Sequence, residues 1–278
     1  MSRIPARFEE LRVEGRAAFV AFITAGDPDV ETSFAILEQL PKVGADIIEL
    51  GLPFSDPMAD GPAIQASSLR ALKAGMSVKG TLALVERFRG ADTTTPIVLM
   101  GYFNPIHAYG VERFITDAAR AGVDGLITVD LGPEEDSVIR GHAKSAGIDI
   151  VRLAAPTTDD SRLNTVLDGA SGFVYYVSIA GVTGTKDVGE ESVRRAVTRI
   201  RAKSKIPCAV GFGIRTPEQA AAIARIADGA VVGSAIVGRI ADGAAKGRPR
   251  AEIVTDAVDF CRTLATAVRG ARGGNKAS

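Results

Sequence analysis

The chain has 278 residues, of which 46% are hydrophobic, and its 33 Lys+Arg balance its 33 Asp+Glu. That balance supplies no basic field for nucleic acid or an acidic membrane, so an anionic substrate has to be held by local groups. No apolar run approaches the roughly 20 residues needed to span a bilayer, and the charged stretch from Met1 to Glu10 lacks the apolar core of a secretory signal; the expected location is the cytoplasm.

In chain order, an amphipathic turn or two carrying Ile4, Phe8 and Leu11 precedes the first strand and is placed to plug the bottom of a barrel. Short apolar, β-branched runs then recur as strands at residues 18–24, 46–50, 97–102, 125–129, 149–154, 173–177, 208–212 and 230–232. Segments of helical period lie between them, such as Phe34, Leu37 and Leu40. The last helix sets Val254, Ala257, Val258, Cys261, Leu264, Ala265 and Val268 on one face. Eight near-continuous apolar strands alternating with helices, without hairpin signals, predict a wholly parallel sheet. Eight such units close most economically into a (β/α)₈ TIM barrel, here with an extra N-terminal helix. A doubly wound open sheet is the alternative, but it seldom continues for eight uniform units. Residues 1–269 read as a single TIM-barrel domain, and the Gly- and Lys-rich residues 270–278 as a disordered tail.

Two cysteines and two histidines narrow the chemistry further. Cys208 falls in a strand-like run and Cys261 on an apolar helical face, and both read as small buried hydrophobes rather than a disulfide framework. His107 and His142 have no metal-ligand spacing and sit at no strand end, which argues against a bound metal and against Ser-His-Asp catalysis.

The step from the second strand to the third is far longer than any other. Its excess begins directly after the strand, with Pro53-Phe54-Ser55-Asp56-Pro57-Met58-Ala59-Asp60-Gly61-Pro62. Loops after strands form the catalytic face of a barrel, so a Pro-stiffened, doubly acidic loop there is a functional signal. Glu49 lies just before it, near the C-terminal end of an apolar strand. Burial would raise its pKa toward neutrality, as a general acid–base needs. The alternative is a buried Glu paired with a cation from a neighbouring strand, where Arg152 is the exception to a general lack of candidates. Asp60, followed by Gly61-Pro62, suits helix capping and catalysis equally, while Ser55-Asp56-Pro57 reads as a turn. A third constellation suits phosphate: Gly181-Val182-Thr183-Gly184, Gly211-Phe212-Gly213 and Gly233-Ser234 follow the last three strands, the last opening a short helix. Glycines let backbone amides approach an anion, and a helix N-terminus adds partial positive charge. Only Lys186 and Arg215 are close by among the cations, which leaves most of the holding to amides.

These pieces together closely resemble the signature of tryptophan synthase alpha chains. The acidic loop from Glu49 to Pro62 carries most of the likeness, joined by Phe22-Ile23-Thr24-Ala25-Gly26-Asp27-Pro28, Met100-Gly101-Tyr102-Phe103-Asn104-Pro105, Ala155-Pro156-Thr157-Thr158, Gly181 to Gly184 and Gly211-Phe212-Gly213-Ile214, in family order. The resemblance implies a retro-aldol lyase that splits indole-3-glycerol phosphate into indole and glyceraldehyde 3-phosphate. Glu49 would shuttle protons and Asp60 would hydrogen-bond the indole N–H. Phe22, Met100, Ile127, Leu153 and Tyr175 would line the indole pocket, with Thr183 on a lid at residues 179–190. Gly184, Gly213, Gly233 and Ser234 would hold the phosphate. The resemblance also implies no cofactor and no metal in this chain. Its partner would be a beta subunit carrying pyridoxal phosphate, joined in an α₂β₂ heterotetramer through the Asp56 loop and the Asn104 region. Two departures stand out: Gly132 precedes Pro133 where relatives carry Pro, and Ile179 and Ala180 are apolar where many relatives are polar. Another phosphate-binding barrel enzyme is a competing reading, but indole-glycerol-phosphate synthases use a lysine acid and none stands beside Glu49. A barrel that has lost its chemistry is a second, against which both Glu49 and Asp60 are present.

Overall fold

Successive side chains along a strand point in opposite directions, and in a closed parallel sheet both directions are buried. The computed structural model describes residues 1–178, 186–211 and 213–273. Helix α1 (Ile4–Glu14) leads into β1 (Ala18–Thr24), α2 (Val30–Gln39) and β2 (Ile47–Gly51). The long step that follows holds two helices, α3 (Pro62–Lys73) and α4 (Val78–Arg89), before β3 (Ile97–Gly101). Then come α5 (Phe103–Tyr109), α6 (Val111–Ala121), β4 (Gly125–Thr128), α7 (Ser137–Ala146), β5 (Asp149–Ile150) and β6 (Arg152–Ala154). The chain continues through α8 (Asp160–Leu167), β7 (Val174–Val177), α9 (Lys186–Lys203), β8 (Cys208–Gly211), α10 (Pro217–Ile226), β9 (Gly229–Val232), α11 (Ser234–Ala245) and α12 (Arg250–Gly270).

All strand pairs are parallel, in the order β5-β4-β3-β2-β1-β9-β8-β7-β6. The two edges of this sheet, β5 and β6, are halves of one run separated by Val151, so the sheet closes on itself as the predicted barrel with its extra N-terminal helix. The expected single strand at 149–154 is therefore divided. Its lower half pairs with β4 (Leu126↔Ile150) and its upper half with β7 (Leu153↔Tyr175). The last bond of the lower seam runs from the Val151 N–H to the Leu126 carbonyl at 3.0 Å; no ladder joins β4 to β6 above it. The rest of the strand expectations hold to within a residue or two, with Phe212 outside the described residues.

Two apolar clusters follow from the alternation. Outward-facing residues such as Phe19, Ile48, Leu99 and Leu126 meet the helices, and α12 contributes the predicted face from Val254 to Val268. Inward-facing Val20, Ile47, Val98, Ile127 and Phe173 fill the barrel, and Ile4, Phe8 and Leu11 of α1 close it from below. The Phe8 and Phe173 rings lie 5.8 Å apart. Each of these plugging side chains is worth roughly 1.5–3 kcal/mol when fully buried. At Gly125 an added Cβ would lie 2.9 Å from Ile4 Cδ1, so a bare backbone is what lets the plug approach.

A repeated device staples the bottom of the barrel. Gly44-Ala45-Asp46 and Gly122-Val123-Asp124 each place a left-handed glycine at a helical end, then a buried apolar residue, then a buried aspartate. Asp46 Oδ2 accepts the Phe19 N–H and Asp124 Oδ2 the Ile97 N–H, both at 2.8 Å, so each carboxylate clamps the start of the preceding strand. Arginines neutralise them: Arg7 and Arg16 on Asp46, Arg3 and Arg89 on Asp124. Since Arg3 and Arg7 border or belong to α1, the same pairs fasten the plug. Beyond α12, Arg272 donates to the Ala224 carbonyl at 2.8 Å, while 274–278 of the expected tail lie outside the described residues.

Asp124 and Arg89 are 1% and 9% exposed, so removing Asp124 leaves the Arg89 guanidinium buried without its counter-ion, held by main-chain carbonyls alone. Asp124→Ala is expected to cost about 3 kcal/mol or more, as breaking a buried ion pair does. A urea titration reads this as a lower midpoint at unchanged slope. A loss below about 1 kcal/mol, the scale of an exposed pair, would contradict the role assigned to Asp124.

Candidate active site

Alternation along β2 turns Ile47, Glu49 and Gly51 inward while Ile48 and Leu50 join the outer core. Glu49 sits in register between Phe22 of β1 and Val98 of β3, at the upper surface of the plug. It is 1% exposed, and its Oε1 has no hydrogen-bond partner. The paired-glutamate alternative fails, because the one strand arginine, Arg152, is engaged by Asp136. Among the described residues no salt bridge reaches Glu49. Burial, helped by the charge on Asp60, pushes its pKa up to about 8.

The loop after β2 is held at both ends. Leu52 donates its N–H to the Met100 carbonyl at 2.7 Å and lies over Gly101, where an added Cβ would come within 2.8 Å of it. At the far end Gly61 is the N-cap of α3, Pro62 opens the helix and no side chain caps it. Asp60 is therefore free of the capping role that its sequence position allowed, and it lines the cavity instead. Burial raises its pKa to about 6, opposed by a hydrogen bond from the Tyr102 hydroxyl. Asp56 stays on the solvent side, bonded to its neighbour Ser55, as a turn residue would be. Met58 beside it is 85% exposed.

Between these carboxylates and the ends of the last strands lies a cavity of about 510 Å³. Phe22, Met100, Leu153 and Tyr175 line it. Tyr175 stands against Gly211, where a Cβ would come within 2.4 Å of its hydroxyl, and burial followed by the nearby carboxylates keeps that hydroxyl protonated. Ile127 is different. It is fully buried in the plug, and the wall is supplied by Val129, just past the end of β4 and two residues on. Gly213, Gly233 and Ser234 line the cavity too. Gly213 takes a φ of 81°, a glycine conformation. At Gly233 a Cβ would press to 3.3 Å from Phe22, so glycine keeps that end open. Ser234 and Ala235 begin α11, where amides have no acceptor within the helix. The arginines that line the cavity, Arg152 and Arg162, are already paired with Asp136 and Glu134. Thr183 and Gly184 lie outside the described residues, as do Ile179 and Ala180.

Three features of the site were not foreseen. The cavity also reaches Leu131, Pro133 and Val166, beside the unpaired seam between β4 and β6. Ile64 of α3 and Tyr102 complete the surroundings of Asp60. Only the Gly132-Pro133 step hinted at the first, and the aromatic at the end of β3 at the last. The cysteines carry no chemistry: burial pushes both thiols up to about 12. Among the described residues no group of His, Cys, Asp or Glu is arranged to hold a metal ion.

A buried carboxyl, a second carboxylate and a glycine-lined end thus share one cavity at the top of the barrel. A family model described as tryptophan synthase alpha chain matches residues 8–269. The tryptophan synthase alpha chain of Legionella pneumophila subsp. pneumophila is 37% identical with a TM-score of 0.88, covering 97% of this chain and 98% of its own. The subunit alpha of Legionella pneumophila str. Paris is 38% identical with a TM-score of 0.89, covering 96% and 98%. A Mycobacterium tuberculosis tryptophan synthase structure is 38% identical with a TM-score of 0.85, again covering 96% and 98%. With fold and sequence agreeing over nearly the whole length, the chain belongs to the tryptophan synthase alpha chain family.

Proposed function

We propose that Glu49 and Asp60 divide the acid–base work of the family's reaction. The chain is a lyase of tryptophan biosynthesis that cleaves indole-3-glycerol phosphate to indole and glyceraldehyde 3-phosphate. The observation that carries the division of roles is the opposite state of the two carboxylates at neutral pH. Glu49, raised to about 8, keeps its proton, while Asp60, at about 6, is ionised. Glu49 gives its proton to indole C3, and the ionised Asp60 accepts a hydrogen bond from the indole N–H, stabilising the cationic indolenine. Glu49 then takes the proton of the glycerol hydroxyl. The bond between indole C3 and the hydroxyl-bearing carbon breaks, its electron pair returns to the ring, and the carbon becomes the aldehyde. Glu49 ends protonated, as it began.

Phe22, Met100, Leu153 and Tyr175 hold the indole in an apolar environment, which strengthens both carboxylates' effects. The amides at Gly213, Gly233 and Ser234 receive the phosphate with the help of the α11 dipole. Ile127 acts from beneath, by supporting the floor. Thr183 and Gly184 complete this reading as lid and phosphate residues. No cofactor acts in this chain, and pyridoxal phosphate belongs to the beta subunit with which the alpha chain works. We place the α₂β₂ contact on the exposed edge of the Asp56 loop and the neighbouring Asn104 region, with residues 1–269 as one domain. No helix among the described residues is long and apolar enough to cross a membrane, and the cytoplasm is the compartment proposed.

Glu49→Gln preserves size and removes the proton, so kcat for indole release should fall by at least about 10²-fold, the usual weight of general acid–base catalysis. Asp60→Asn should also collapse turnover while leaving stability within about 1 kcal/mol, since it caps nothing. Near-normal indole release by either variant would remove that residue from the mechanism. At the phosphate end, Ser234→Pro deletes one amide at a helix position that tolerates proline and is expected to raise KM about tenfold or more, while Ser234→Ala keeps the amide and changes KM little. Equal effects of the two on KM for indole-3-glycerol phosphate would show that the hydroxyl, not the amide, holds the anion.

A further inference from the structure

Asp60 lies on a loop, so no strand ladder fixes the direction of its carboxylate. The hydrogen bonds to its main chain, from its N–H to the Pro57 carbonyl at 3.1 Å and from Gln65 Nε2 to its own carbonyl at 2.9 Å, set the turn and leave the side chain unguided. Tyr102, which directly follows β3, supplies what they do not. It is 3% exposed, its hydroxyl accepts the Ala59 N–H at 3.0 Å, and it lines the same small pocket as the adjacent Asp60, whose pKa it lowers. Its ring packs on Phe54, with centroids 5.3 Å apart, just before the exposed Ser55 and Asp56. Tyr102 lines a small side pocket together with Asp60, Phe22 and Met100 rather than the main cavity, which sets it beside Asp60.

We propose that Tyr102 is the positioning residue for Asp60: one hydroxyl clamps the loop at Ala59 and aims the adjacent carboxylate at the indole nitrogen. This rests on the reading of Asp60 given above. A phenol has both capacities, accepting from the main chain and donating to a carboxylate. Donation favours the ionised carboxylate, and so works against the burial that raises Asp60. The titratable groups facing Asp60 are Glu49 from β2, Tyr102 after β3 and Tyr175 from β7. Of these Tyr102 is the one whose hydroxyl is tied to the Asp60 loop, through the Ala59 N–H.

Tyr102→Phe keeps the ring against Phe54 and deletes the hydroxyl. With indole release from indole-3-glycerol phosphate followed across pH, kcat should fall about tenfold or more, the scale of one hydrogen bond to a charged group. The acid limb, where Asp60 ionises, should move to higher pH because the carboxylate has lost its donor, while the alkaline limb of Glu49 stays in place. A purely structural role would lower the melting temperature without moving that limb. Combined with Asp60→Asn, the loss from Tyr102→Phe should disappear, since no carboxylate remains to aim. An unmoved acid limb, or losses that multiply in the double variant, overturns the proposal for Tyr102 alone. Full activity in Asp60→Asn overturns the reading of Asp60 and this inference with it.

Discussion

Everything at the top of this barrel depends on keeping one carboxyl group, Glu49, in a place where water cannot solvate it. An ionised carboxylate buried without a counter-ion is among the costliest groups a protein can hold, so the group retains its proton instead. Glu49 reaches that state because its strand is packed on both faces and because, among the described residues, no cation pairs with it. The floor beneath is an apolar plug made by α1 and the inward residues of the strands. The stapling aspartates Asp46 and Asp124 place their arginines at the bottom of the barrel, where these charges fasten α1. Stability at one end and a reactive acid at the other are thus parts of the same arrangement, as is usual for barrels of this kind.

Asp60 shows how a second carboxylate is made different from the first. Glu49 rides on a strand and is sealed, whereas Asp60 rides on a loop, is only half-buried, and is held by Tyr102. Pairs of acids whose environments push them apart are the general way one site carries both an acid and an anion at one pH. The phosphate end follows a different economy. In the proposed reading, with Arg152 and Arg162 each ion-paired on the described cavity wall, the phosphate would be received by the first amides of α11 and by glycine backbones.

The strands were readable in the sequence because parallel strands are buried on both faces and so appear as continuous apolar runs. The plug residues Ile4, Phe8 and Leu11 were readable from helical spacing alone. What escaped depends on pairing between distant segments. The division of the run at 149–154 is set by which neighbour each half meets, and the reach of the cavity toward Leu131 and Val166 follows from that division. The repeated Gly-x-Asp staples escaped because their partners, Phe19 and Ile97, lie on distant strands. Asp60 was balanced between cap and catalyst because Asp-Gly-Pro permits either, and only the N-cap position of Gly61 separates them. Ile127 was placed on the pocket wall through resemblance, and β4's alternation instead seats it one layer down, with Val129 above.

The protonation state of Glu49 at neutral pH is the most direct test of this account. Infrared difference spectra across pH, compared with those of Glu49→Gln, isolate its carboxylic acid band. The account predicts a protonated carboxyl at pH 7 that titrates near 8 and is missing from the variant. A Glu49 already ionised at pH 7, titrating near the ordinary value of about 4.3, would contradict it.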